Sequence, residues 1–341
     1  MKLYSNEIVF RGHPDKVCDQ ISDAILDECL KQDKNSRCGI EIVGGKGKIF
    51  VTGEVTTNAK FDVESIAKRV LLDVGYPTNF EIIDNIGKQS ADIALGTNEN
   101  IGGAGDNGMM FGFATRETKE YLPKAMVILQ RLSKAYDELR KADERFLPDG
   151  KAQITGVYND KNELIEIKYF TICYQNTEEE RHKTDELIKL MCDEICAEFG
   201  VEVKNYLINP TGRFKIGGFE GDAGLTGRKI VVDNYHSFVN VGGGAFSGKD
   251  PTKVDRSGAY KAREIAKKVL DNNEDISWCK VQLSYAIGLK NPLAIYIKTN
   301  LGNIDISEKL YDECSVKNII NDLDLLNINY EEKSKFGHFT D

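Results

Sequence analysis

The sequence predicts an α+β protein made of three α+β units. A strand-like run followed by an amphipathic helical run recurs at residues 49–74, 164–199 and 293–326. The recurrence divides the chain into units of roughly 90–120 residues, close to the usual size of a domain. No Ser/Pro-rich linker separates them, so the units are expected to pack tightly. The boundaries expected are 1–92 for an N-terminal unit, 93–108 for a loop, 109–216 for a central unit and 217–341 for a C-terminal unit.

Composition narrows the class. Hydrophobic residues make up 41% and charged residues 29% of the 341, as in a globular protein with sizeable cores. A net charge of -9 argues against a general nucleic-acid binder but leaves room for a local basic pocket. No run of 18 apolar residues is present, and Met1-Lys2-Leu3-Tyr4-Ser5-Asn6-Glu7 lacks a signal-peptide apolar region. A cytoplasmic protein without membrane contact is expected. The eight cysteines form no C-x-x-C pair and the four histidines lie far apart. Small apolar cysteines in a reducing compartment fit better than a zinc site.

Taken in order, residues 4–10 read as a strand leading into Gly12-His13-Pro14-Asp15-Lys16. A helix follows, with Val17, Ile21, Ile25 and Cys29 four apart and Asp19, Asp23 and Asp27 on another face. His13, Asp15 and Lys16 therefore sit at a helix start, where anions bind readily. Residues 39–43 and 49–56 are strand-like and carry Glu41 and Glu54, and 62–74 is helical. Periodicity is lost over 87–108, and a long glycine-rich loop there is more often a lid or binding loop than idle. A helix is expected over 121–142, a turn at Pro148-Asp149-Gly150, strands over 152–158 and 164–174, and a helix over 184–199. The glycine-rich basic stretch 209–229 is expected to run into a strand over 230–233. A helix over 256–270, strands over 279–287 and 293–299, and helices near 306–326 complete the chain.

The chemistry centres on residues 242–256. Glycines let backbone N–H groups approach an anion, Lys249 and Lys253 add two cations, and Asp255 is a carboxylate of the kind that holds Mg²⁺. Gly243 to Lys249 spells the start of a P-loop, but Asp250-Pro251 follows where a Ser or Thr is required, and no clear strand leads in. The P-loop reading is rejected and the anion-loop reading kept. The other blocks repeat the theme: His13, Asp15 and Lys16; Asp106; Arg213, Asp222, Arg228 and Lys229. Cations and carboxylates in such numbers suit a magnesium-bound triphosphate and a second polar substrate. With no Ser-His-Asp arrangement or reactive-cysteine motif in view, one bound substrate would attack another.

Five blocks resemble the methionine adenosyltransferases, the S-adenosylmethionine synthetase family. They are Gly12-His13-Pro14-Asp15-Lys16, Gly103-Ala104-Gly105-Asp106, Asn209-Pro210-Thr211-Gly212-Arg213-Phe214, Gly221-Asp222 with Gly227-Arg228-Lys229, and the loop from Gly242 to Ser257. The resemblance implies three similar α+β domains in pseudo-threefold arrangement, interleaved in a homodimer whose sheets pack together and whose active sites lie between subunits. Tetramers are implied as a common further assembly. It implies attack of methionine sulfur on C5′ of ATP, then cleavage of the triphosphate, with two Mg²⁺ and one K⁺. By motif, His13, Lys151, Arg228 and Lys249 would be catalytic. Those four, with Asp149, Arg213, Phe214, Asp222, Lys229 and Ala245, would bind ATP. Glu54, Gln89, Asp106, Asp222 and Lys253 would line the methionine pocket, Asp15 and Asp255 would hold Mg²⁺, and Glu41 would sit at K⁺. Residues 93–108 would be the gate.

The sequence departs from the family pattern at named places. Arg11 replaces the acidic residue before Gly-His-Pro-Asp-Lys, and Asn107 replaces a Gln. Residues 235–241 lack the usual Gly-Gly pair and Arg-His, and the family's further C-terminal segment does not follow Gly337-His338-Phe339. Two alternatives stay open at this point: adenosyl transfer to a methionine analogue, and a non-catalytic relative.

Overall fold

A computed structural model describes residues 2–88 and 102–340. The first third holds β1 (Lys2–Val9), α1 (Pro14–Gln32), β2 (Arg37–Gly45), β3 (Lys48–Thr56), α2 (Val63–Val74) and β4 (Glu81–Gly87). The middle holds β5 (Gly108–Thr115), α3 (Lys124–Ala142), β6 (Phe146–Tyr158), β7 (Leu164–Asn176), α4 (Arg181–Glu198) and β8 (Tyr206–Ile208). The last third holds α5 (Gly218–Gly221), β9 (Gly224–Leu225), α6 (Ile230–Asp233), α7 (Val254–Asp271), β10 (Trp278–Tyr285), β11 (Ala294–Thr299) and β12 (Gly302–Asn303). Three short helices follow: α8 (Glu308–Glu313), α9 (Val316–Asp322) and α10 (Tyr330–Ser334).

These strands form three four-stranded sheets, ordered β1-β6-β7-β8, β12-β11-β10-β5 and β4-β3-β2-β9. Each sheet takes a strand from a distant part of the chain. β1 lies antiparallel to β6, with Val9 opposite Lys151. β5 lies antiparallel to β10, and β9 pairs with β2 through Val43 and Gly44. The chain thereby brings the N-terminal turn at residues 10–13 beside Asp149 and Lys151, and the 224–229 loop beside α1.

α1 is the helix on which the site is built. His13 caps it, its Nδ1 accepting the Asp15 N–H at 3.2 Å, and Pro14 sits at the first turn, where its missing N–H costs nothing. Val17, Ile21 and Ile25 are buried in one core with Ile40, Ile42 and Val51 of the β4-β3-β2-β9 sheet. The other face of α1 carries Asp15, Asp19, Asp23 and Asp27, one per helical turn. Each carboxylate accepts backbone N–H groups from the C-terminal third. Asp15 takes Leu225 (2.9 Å), Asp19 takes Gly227 (2.8 Å), Asp23 takes Gly248 (2.8 Å), and Asp27 takes Tyr330 (3.0 Å) and Glu331 (2.8 Å). The loops that read as separate glycine blocks are thus strung along one helix.

Two local expectations give way. Residues 230–233 form a helical turn rather than a strand. Ile230, Val231 and Val232 favour extended backbone locally. The turn instead buries Val232 in the core under β1-β6-β7-β8 and pairs the Asp233 carboxylate with the fully buried Lys16 ammonium. Tertiary pairing outweighs a few tenths of a kcal/mol of propensity per residue. α3 begins at Lys124 rather than near 121, because Pro123 at the cap position disfavours helical backbone in the residue before it, and Tyr121 has φ +57°. Among the described residues no helix is long and apolar enough to cross a membrane.

Candidate active site

The first charged group gathers at the start of α1. Asp15 is buried, and besides the Leu225 N–H it holds the Lys229 ammonium, with the Arg228 Nε at 3.6 Å. His13 lies beside it, 3.9 Å from Nδ1 to the Asp15 carboxylate. Burial, and then the positive charge of Lys229, push His13 down to about 4 from 6.5, so its imidazole is neutral near pH 7. With Nδ1 accepting from Asp15, Nε2 carries the proton and is the free donor.

A cavity of 270 Å³ opens next to this group, lined by His13, Asp149, Lys151, Phe214 and Asp222 among others. Asp149 is buried, accepts the Gly218 N–H at 2.8 Å, and is raised to about 7 by its desolvation. Lys151 is half-exposed and pairs with Glu7 at 2.9 Å, across the β1–β6 ladder. Asp222 is exposed, its carboxylate accepting the neighbouring Ala223 N–H at 2.8 Å. Arg213 is exposed three residues past Pro210, and Phe214 is half-buried with its N–H on Glu178 at 3.2 Å. A larger cavity, 680 Å³ between Tyr4, Phe113, Phe238 and Trp278, contains none of the candidate residues, so size alone does not locate the site.

The second group is the glycine loop after β9. Lys249 pairs with Asp255 at 2.5 Å. Gly244 presses against that carboxylate, where an added Cβ would come within 2.1 Å of it, so glycine is required there. Ala245 lies against Gly227, which has φ +77° and links this loop to the Arg228-Lys229 turn. Lys253 pairs with Asp250 at 2.5 Å rather than pointing free. Burial alone would raise the Asp250 carboxyl, but the Lys253 ammonium and the Thr252 hydroxyl hold it below the usual range. Gly105 approaches Thr252 and Lys253, which places Asp106, exposed, near the same loop.

The third group stands apart. Glu41 on β2 and Glu54 on β3 point to the outer face of their sheet, with Val43 and Phe50. α1 covers the opposite, inner face through Ile40 and Ile42. Side chains alternate across a strand, so the two glutamates and the His13 group lie on opposite sides of one sheet. Gln89 and residues 93–101 lie outside the described residues.

Reading the sequence missed the two buried carboxylates beneath the site. Asp19 meets Lys16 at 3.1 Å, and Asp23 holds Arg256 through two bonds of 2.8 and 2.6 Å. The four-residue spacing of the aspartates was visible. Their distant partners, Gly227 for Asp19 and Arg256 for Asp23, lie more than 200 residues away and were not.

Among the described residues no three His, Cys, Asp or Glu side chains converge to hold a metal. That is compatible with Mg²⁺, which commonly uses one or two carboxylates and completes its shell with water and substrate phosphates. Asp15 and Asp255 each offer one carboxylate held by a lysine, and so fit that donor set. Glu41 supplies a single exposed carboxylate, and K⁺ there would need further oxygens from substrate or a second chain.

Three interlaced α+β sheets bearing these loop-borne cation–carboxylate pairs define a three-domain α+β enzyme. The chain belongs to the S-adenosylmethionine synthetase family. Its residues 1–92, 101–214 and 216–341 match the N-terminal, central and C-terminal domains of that family in turn. It is 42% identical, over a 370-residue alignment, to the S-adenosylmethionine synthase of Clostridium tetani (strain Massachusetts / E88). That alignment covers 99% of this chain and 94% of the relative.

Proposed function

We propose that the chain is a methionine adenosyltransferase, converting L-methionine, ATP and water to S-adenosylmethionine, pyrophosphate and phosphate. The observation that carries this is the neutral His13 set among Lys229, Arg228 and Lys151, with Lys249 on the adjoining loop. Such a set can bind a departing triphosphate while offering no nucleophile of its own. The thiols support this: Cys192 is pushed well up by burial, and Cys279 and Cys314 are pushed up to about 12, so none of them is a thiolate. The methionine sulfur is the nucleophile, attacking C5′ in line as the triphosphate leaves.

In this reading the His13 Nε2–H donates to the oxygen next to the breaking bond. Lys151, Arg228, Lys229, Lys249 and the backbone at Ala245 take the phosphates, and Phe214 faces the adenine with Asp149 and Arg213 nearby. Glu54, Gln89, Asp106, Asp222 and Lys253 receive methionine, whose zwitterion needs both charges. Asp15 and Asp255 would hold two Mg²⁺, with K⁺ at Glu41. Bound there, the metals would supply positive charge for the leaving triphosphate, and Lys229 and Lys249, paired with those two aspartates, would be close enough to serve its oxygens.

A homodimer completes the site, because Glu41 and Glu54 face away from His13 within one chain. All three sheets expose apolar side chains that a second copy would cover: Val43 and Phe50, Ile165 and Tyr169, Met109 and Tyr296.

Incubation with ATP, L-methionine, Mg²⁺ and K⁺, followed by mass spectrometry, should yield all three products. Turnover of another sulfur substrate with none of methionine would reject the proposal, as would phosphate release without an adenosyl product.

A further inference from the structure

We infer that Arg11 is a positioning residue for the reaction, acting through His13. The inference rests on the proposed role of His13. Arg11 is the second residue of a tight turn closed by the His13 N–H on the Phe10 carbonyl at 3.0 Å. It is 3% exposed, and its guanidinium is shared among three helices. Nε donates to Gln20 of α1 at 2.7 Å, one terminal nitrogen donates to Asp73 of α2, and the other reaches Asp137 of α3 at 3.5 Å. Gln20 returns a bond from Nε2 to the Arg11 carbonyl at 2.9 Å, so side chain and backbone are clamped together.

The remainder of the turn is held just as tightly. Phe10 stacks on Tyr136 at 4.4 Å and donates its N–H to Gly150 at 2.9 Å. The Tyr76 hydroxyl donates to the Gly12 carbonyl at 2.6 Å. An added Cβ on Gly12 would lie 2.3 Å from the Pro148 carbonyl oxygen. The turn therefore sits wedged between α1 and the strand that carries Asp149 and Lys151. Arg11 is the only one of these contacts that reaches α1, α2 and α3 together.

The planar fork matters here. Three acceptors lie around one guanidinium, a pattern that a lysine ammonium cannot reproduce in the same directions. Removing the fork leaves the buried Asp137 with Arg140 at 2.6 Å and Lys141 at 2.9 Å, so Asp137 itself stays paired. What is lost is the register of the 10–13 turn against α1. A displacement of about 1 Å at a reacting group commonly costs about 100-fold in rate. Arg11 therefore sets kcat through the placement of the imidazole and leaves methionine binding largely alone.

The test is a double-mutant cycle on full-length protein, with kcat and KM measured for both substrates. Arg11→Met and His13→Ala are expected each to lower kcat by about 10-fold or more, with the methionine KM within about 3-fold. Arg11→Met made in the His13→Ala background should lower kcat little further, because the group it positions is gone. Asp73→Asn, which removes the most exposed of the three partners, should show a smaller loss with the same non-additivity, and serves if Arg11→Met does not fold. Arg11→Lys should fail to restore kcat. Losses that multiply in the double variant would overturn the inference while leaving the role of His13 intact. An unchanged kcat in His13→Ala alone would instead reject the role of His13, and the inference with it.

Discussion

Asp23 and Asp255 both accept from a cation, yet their surroundings differ. Asp23 is fully buried and filled by fixed donors: two from Arg256 and one from the Gly248 N–H. Asp255 precedes Arg256 in the chain, but its carboxylate is 9% exposed and its cation is Lys249, 23% exposed on a flexible stem. A planar fork locked in two bonds is hard to exchange, whereas a lysine ammonium can be handed from carboxylate to phosphate. The acid with saturated coordination holds the loop, and the acid with replaceable coordination is the one proposed to work in it. Asp15 is intermediate: it is buried and accepts the Leu225 N–H, as Asp23 accepts a backbone donor, but its paired cation is a lysine, Lys229.

The comparison is broken most easily at Asp23. Asp23→Ala leaves Arg256 buried without its counter-charge, and about 3–5 kcal/mol of stability should be lost, read as a lower urea midpoint. A loss under about 1 kcal/mol would mean that the pair does not hold the loop. Lys249→Ala should do the reverse. kcat is expected to fall about 10²–10³-fold, the usual cost of one transition-state charge partner, while the unfolding midpoint stays near that of the parent. Unfolding of this variant, or full activity in it, would erase the distinction.

A smaller effect sharpens it. His236 is buried at φ +53°, and among the described residues neither ring nitrogen has a partner. Burial pushes it down to about 4 from 6.5. The unfolded chain therefore takes up this proton first, and stability falls as pH drops from about 6.5 toward 4. His236→Gly removes that penalty and suits the left-handed backbone. Relative to its effect at neutral pH, which includes the lost packing of the ring, the variant should be more favourable at pH 5 by on the order of 2 kcal/mol. A gain independent of pH would assign the effect to backbone strain alone.

Much of this was legible before the fold was in hand. The four-residue apolar spacing located α1, and the glycine, lysine and aspartate content of residues 242–256 marked an anion loop. Local sequence carries no trace of pairings between distant strands, so the placement of β5 beside β10 and of β9 beside β2 could not be read. The same limit hid the partners of Asp19 and Asp23. The pairing of Lys253 with Asp250, three residues back, was hidden for another reason: the sequence shows a second cation but not which of the nearby carboxylates holds it. Residues 230–233 misled because local propensity and tertiary pairing disagree there.

The central claim is that the His13 group and the outward-facing glutamates meet only when two chains come together. It is tested by mixing. His13→Ala and Glu54→Gln variants should each be nearly inactive alone. Unfolded together and refolded at equal amounts, random pairing puts both lesions in one site of each mixed dimer and leaves the other site intact, restoring about a quarter of the parent activity. Recovery at that level is the result expected. No recovery, with mixed dimers demonstrated by mass, would place His13 and Glu54 in the same chain's site and contradict the account.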